Sequence, residues 1–202
     1  SDRVSAGGGG GVLGQARAVA QLPSSVAAPV HAYLFVGPSG SGRRAAARAF
    51  AAELLADGSA GEDAQRHQAL ALAEAHPDLT VFVPEGASLR EEEAAEIMRT
   101  AVRAPVEGER KVLVLCELHK VSTQAPKLLK IIEEPPPSTV FVILADDIPP
   151  ELITIASRAV RIDFHPVAED LVVQRLVEEG VAAPAAEEAA RAAGGDLDRA
   201  RL

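Results

Sequence analysis

The chain has 202 residues, 48% of them apolar but only 3% aromatic and none tryptophan, so its core is expected to consist mostly of Ala, Val, Leu and Ile. Its 20 basic and 29 acidic side chains leave a formal charge of −9, which argues against autonomous duplex binding, since that depends on neutralising phosphates. The single cysteine, Cys116, excludes an intrachain disulfide and a cysteine-rich zinc site, and no apolar run approaches the ~18 residues of a membrane helix.

The N-terminus, "SDRVSAGGGGGVLGQ", lacks the basic start and apolar block of a secretory signal. Residues 1–11 read as a flexible glycine-rich lead-in, and 12–28 as a helix that Pro23 ends or kinks. "HAYLFVG" (31–37) reads as a buried strand, Gly37–Gly42 as a loop, and the Ala-rich stretch 43–56 as a strong helix. The polar stretch 57–66 reads as a loop before a short helix at 67–75, with a second strand at 79–83. Ser88 and Glu91 have the spacing of a capping box that starts the next helix, which Pro105 closes. "KVLVLCEL" (111–118) and "TVFVILA" (139–145) have the continuous apolar character of strands buried on both faces. Between them 122–134 reads as a helix; 151–158 is helical and 159–164 a last strand. The alternation predicts an α/β fold, a doubly wound parallel sheet, with small helical pieces after Pro166.

"GPSGSGRR" (37–44) follows the first strand and opens a helix, the context of a phosphate-binding loop of pattern G-x-x-x-x-G-K-[ST]. Gly37 and Gly42 keep the spacing, but Arg43 and Arg44 stand where the lysine and the magnesium-binding hydroxyl belong. Arg43 carries charge in a longer and wider fork, and Arg44 cannot ligate Mg²⁺. The residues leave open a turn that serves strand–helix geometry or weak phosphate binding. At the end of the 111–118 strand, where hydrolases place the acid that positions magnesium, the chain has Cys116, followed by Glu117. Cys116 reads as packing rather than a nucleophile, although His119 is near in sequence. Asp146 and Asp147, at the end of the next strand, are expected to repel a terminal phosphate. Ser157–Arg158 ends a helix and, by pattern alone, is a surface pair.

"GQ" (14–15), "HAYLFVGPSGSGR" (31–43), "HPDL" (76–79), "LLKIIEEPPPSTVFVILA" (128–145) and "SRAVRIDF" (157–164) occur in order. Together they resemble the clamp-loader branch of the AAA+ superfamily over roughly residues 12–202, and the altered loop is similar to that of the delta-prime type in bacterial DNA polymerase III. The resemblance implies an AAA+ α/β domain over 12–165 with a degenerate phosphate loop and a small helical lid over 166–202, the family's C-terminal collar being absent. It implies that Arg158, in the family's Ser-Arg-Cys motif, is an arginine finger for a neighbour's ATP site, with Ser157 supporting its turn. Gly37, Gly40, Gly42, Arg43 and Arg44 would be a vestigial loop without ATP turnover; the alternative is an ATPase that uses Arg43 in place of lysine. Many members carry four zinc-binding cysteines that 56–76 lacks, so zinc is not expected, and His76 is expected to cap or pack beside Pro77. The implied partners are the gamma/tau motor subunits and the delta subunit, and through the assembly the sliding clamp and primer–template DNA. The implied location is the cytoplasm, with no membrane contact.

Overall fold

The described residues form five strands: β1 (Ala32–Val36), β2 (Leu79–Phe82), β3 (Lys111–Leu115), β4 (Thr139–Ala145) and β5 (Val160–Asp163). The computed structural model describes residue 26 and residues 29–121, 125–166, 168–194 and 197–202, and the helix expected over 12–28 lies outside them except for Val26. The strands make one sheet in the order β2–β3–β4–β1–β5, every pair parallel. Parallel neighbours need crossover connections, and the helices supply them.

The helices are α1 (Arg43–Ala56), α2 (Gly61–Leu72), α3 (Glu91–Val102), α4 (Pro126–Glu133), α5 (Ile153–Ala156), α6 (Glu169–Glu178), α7 (Ala183–Ala193) and α8 (Leu197–Ala200). Alternate strand residues point to opposite faces. Tyr33, Phe35, Val112, Val114 and Val142 pack with α1, where Phe50 meets Tyr33 edge-on at 4.6 Å. Leu34, Leu113, Phe141 and Ile143 pack on the other face with α3, α4 and α5, through Ile97, Leu128, Ile132 and Ile155. The sheet is thus covered on both sides, as a doubly wound fold requires. A third apolar cluster, including Val172, Leu176, Ala186 and Ala190, is built from α6–α8 and the short turns between them.

Several boundaries differ from the sequence reading. The helix expected at 67–75 starts at Gly61: Glu62 and Asp63 lie in its first turn, where they favour the positive end of the helix dipole. Its buried positions are His67 and Ala71, which give little apolar signal. The next helix is capped at Arg90 rather than Ser88, and Glu93 rather than Glu91 accepts the cap N–H, at 3.4 Å. The acidic run 91–93 offers several frames, and this one also lets Arg90 Nε donate to Glu93 Oε1 at 2.7 Å. The strand read over 111–118 ends at Leu115, with Leu118–Lys120 a short 3₁₀ turn. The helix read over 122–134 is described from Pro126; 122–124 lie outside the described residues. At the foot of β3, the buried Lys111 Nζ donates to the carbonyls of Thr100 (2.8 Å) and Arg103 (2.7 Å), closing the end of α3.

Candidate functional site

Parallel strands bring the loops after β1, β3 and β4 to one edge of the sheet, where open α/β folds place their ligands. The loop after β1 holds its shape through three glycines. Gly37 packs against the chain after β5, where a Cβ would sit 2.3 Å from the Phe164 carbonyl oxygen. Gly40 and Gly42 have φ of 77° and 91°, the left-handed region that favours glycine.

Arg43, the first residue of α1, turns back into this loop. Its side chain is only 6% exposed. Nη1 donates to the Gly37 carbonyl and to Asp146 Oδ1, the latter at 2.6 Å. Asp146, read from sequence as a repellent to phosphate, is therefore the partner of the loop's own cation. His119 flanks the same carboxylate: Nδ1 accepts the Asp146 N–H at 3.1 Å, so the ring proton is on Nε2, 3.5 Å from Asp146 Oδ2. Arg44 points away from the loop and grips Glu74 with two hydrogen bonds of 3.1 and 2.9 Å. That contact holds the Glu74 carboxyl below the usual range.

Cys116 is buried, and burial pushes its thiol up; His119 is engaged with Asp146 rather than with it. Glu117 has a left-handed backbone (φ 52°), and its carboxylate lies 3.2 Å from Lys120 Nζ. Asp147 is exposed. The edge thus brings together Arg43, Asp146 and His119, with the Asp146 carboxylate matched by the guanidinium and flanked by the imidazole.

Arg158 lies elsewhere. It precedes β5, whose Val160 is level with Tyr33 of β1, so it belongs to the N-terminal edge of the sheet. A five-residue strand at ~3.3 Å per residue puts about 15–20 Å between that edge and the loop. Ser157 Oγ donates to the Thr154 carbonyl at 2.7 Å, tightening the turn before it. Arg158 is exposed beside a groove lined by Val30, His31, Ile132, Glu133 and Ile155. Its guanidinium has no hydrogen bond or ion pair among the described residues.

His76, expected to cap or pack beside Pro77, is buried and hydrogen-bonded at 2.7 Å to His67, with Glu107 alongside. These residues are nine and forty apart in sequence and form no motif, so pattern reading did not join them.

The family described as "DNA polymerase III, delta subunit" matches residues 14–168. The chain belongs to this family. Among its relatives, the chain is 37% identical over 139 residues to the DNA polymerase III subunit delta' of Pseudomonas aeruginosa, covering 65% of this chain and 42% of that protein. It is 27% identical over 154 residues to the delta' subunit of Bacillus subtilis, covering 75% and 47%. The delta-family chain thus spans less than half the length of either relative. A DNA polymerase III gamma subunit-related protein of Thermotoga maritima shares its fold, with a TM-score of 0.58 at 20% identity over 88% of this chain and 58% of that one. The family and the sheet order together make the fold the AAA+ α/β type that the resemblance implied.

Proposed function

We propose that this delta-family chain is part of a non-hydrolysing clamp-loader subunit that supplies Arg158 to the ATP site of a neighbouring motor subunit. The observation that carries the reading is the position of Arg158. It is exposed, without a partner among the described residues, and at the sheet edge opposite the chain's own loop. A guanidinium so placed is out of reach of its own chain's loop and open to a phosphate held by another chain. There it would stabilise charge developing on the transferred phosphoryl group, an effect of roughly 10³–10⁵ in rate where such fingers act.

The chain's own loop supports the non-hydrolysing half of the proposal. Its cation is already matched by Asp146, and its sequence has neither the lysine nor the hydroxyl that nucleotide chemistry uses. Residues 166–202 would act as the lid beside the α/β domain. The partners would be gamma/tau and delta subunits, and the assembly would meet the sliding clamp and primer–template DNA in the cytoplasm. No helix among the described residues is long and apolar enough to cross a membrane.

The test is Arg158→Ala in a reconstituted loader. The DNA-stimulated ATPase is expected to fall at least about tenfold with assembly intact; unchanged turnover in a fully formed complex would remove the finger assignment. Calorimetry of the full-length protein with Mg-ATP should show no binding, whereas binding with turnover would favour an ATPase that uses Arg43.

A further inference from the structure

A second cluster of polar side chains lies between α2, the start of β2 and the turn at 106–108. The rings of His67 and His76 are buried, 5.0 Å apart and inclined by 29°. Their hydrogen bonds fix their protons. The Asp78 N–H donates to His76 Nδ1 at 3.0 Å, so that nitrogen keeps its lone pair and the neutral ring is protonated on Nε2. His76 Nε2 lies 2.7 Å from His67 Nδ1, which therefore accepts. The His67 proton is then on Nε2, 3.5 Å from Asp63 Oδ2. The Asp78 carboxylate in turn accepts the N–H groups of Val106, Glu107 and Gly108. One directional chain of hydrogen bonds thus ties α2 to β2 and to the turn before β3.

Glu107 Oε2, 3.7 Å from His67 Nδ1 and 3.8 Å from His76 Nε2, completes a set of three atoms close enough to surround an ion. The family resemblance makes zinc the metal to consider, and the donor set does not fit it. A metal takes a lone pair from every ring nitrogen it touches. His76 Nε2 offers one only if its proton moves to Nδ1, where it would face the Asp78 N–H. Without His76 two ligands of the set remain among the described residues, short of the three or four that zinc sites use.

We propose that the His67–His76 pair is a proton-held tie in place of a metal centre, and that acid opens it. A further proton on His76 Nδ1 meets the Asp78 amide, and one on His67 Nδ1 meets the His76 Nε2–H. Either uptake breaks a hydrogen bond. Among the surrounding charges, Asp78, which has the buried Lys111 behind it, and Glu107 favour a second proton on His76, and a charge on His67 opposes it. Arg66, bound to Glu107 at 3.2 Å, opposes it, while Arg110 on the far wall is matched by Asp57 at 3.2 Å. Burial is the largest influence and pushes His76 below its ordinary value of 6.5. The folded state then binds fewer protons than the unfolded one just below that value. The tie's contribution is complete above pH 6.5 and is lost as the pH falls through the folded value.

The experiment uses the full-length protein purified without chelator. Metal content is measured, the histidine ring nitrogens are assigned by ¹⁵N NMR, and unfolding is followed from about pH 7.5 to about pH 5. The expected result is substoichiometric zinc, Nε2–H tautomers on both rings, and an unfolding constant that rises by up to about tenfold per pH unit for each extra proton taken up. His76→Asn, which keeps an acceptor for the Asp78 amide, should flatten that rise. One bound equivalent of zinc, an Nδ1–H tautomer on His76, or an acid response unchanged in both His76→Asn and His67→Gln would overturn the proposal. The tautomers are read on the native protein, so the test survives a variant that fails to fold.

Discussion

Arg43 and Asp146, 103 positions apart, close the chain's phosphate loop from within: Nη1 lies 2.6 Å from Oδ1 while also holding the Gly37 carbonyl. The carboxylate stands beside the loop's cation, where an incoming phosphate would have to displace it or bear its repulsion. Unit charges about 4 Å apart near a protein surface interact by roughly 4 kcal/mol, and solvent reduces this because Asp146 is half-exposed. Asp146→Asn is therefore expected to raise pyrophosphate affinity by at least about tenfold, as read by calorimetry. The amide oxygen introduced there can still accept from Arg43 Nη1, but the guanidinium is buried and loses its counter-charge, so the stability cost should be about 1–3 kcal/mol. Unchanged affinity would place the exclusion in the loop backbone instead.

Gly37 is constrained by contact rather than by a left-handed backbone. A Cβ there would meet the Phe164 carbonyl oxygen at 2.3 Å and its Cβ at 2.8 Å, both rigid parts of the chain leaving β5. Gly37→Ala should destabilise by about 1–3 kcal/mol or more through forced separation of β1 and β5. Gly108→Ala is the control, because nothing lies within 4 Å of its Cβ position; its effect should stay within about 0.5 kcal/mol. Denaturant titration of both variants separates a specific clash from a general cost of losing glycine.

The central strands β1, β3 and β4 were legible in the sequence because they are buried on both faces and read as apolar runs, and Thr139–Ala145 matches its prediction residue for residue. Helix α1 was legible through alanine propensity. The start of α2 was not, since its buried side is made by His67 and Ala71 rather than by large aliphatic groups. The site was legible one residue at a time. Arg43 was noted as a substituted lysine and Asp146 as a repellent, and only the adjacency of β1 and β4 makes them a pair. Likewise, the separation of Arg158 from the loop follows from β5 lying next to β1, which residue spacing does not reveal.

Asp78 is almost fully buried, and its two carboxylate oxygens accept three backbone N–H groups from 106–108. Asp78→Asn keeps the shape but exchanges one acceptor oxygen for a donor, which would face the donors it now binds. The expected loss is about 1–3 kcal/mol, the cost of buried amides left without acceptors. Asp78→Ala should cost at least as much. Exchange of the Glu107 and Gly108 amide hydrogens, followed by NMR, should accelerate in both variants. Unaltered protection would mean that the turn is held by something other than this carboxylate.

Arg158 should separate stability from function. Its guanidinium is exposed and makes no hydrogen bond or ion pair among the described residues, so little folding energy depends on it. Arg158→Ala should leave the thermal midpoint nearly unchanged, with a free-energy effect within about 0.5 kcal/mol. In an assembled loader the same change should lower ATP turnover, and Arg158→Lys should recover only part of it. Lysine retains the charge but not the planar fork that donates to two phosphate oxygens at once. Equal loss in the alanine and lysine variants would make the fork geometry decisive, and full recovery by lysine would make charge sufficient. A large drop in thermal midpoint would instead assign Arg158 a structural role within its own chain, contrary to its position at an open edge of the sheet.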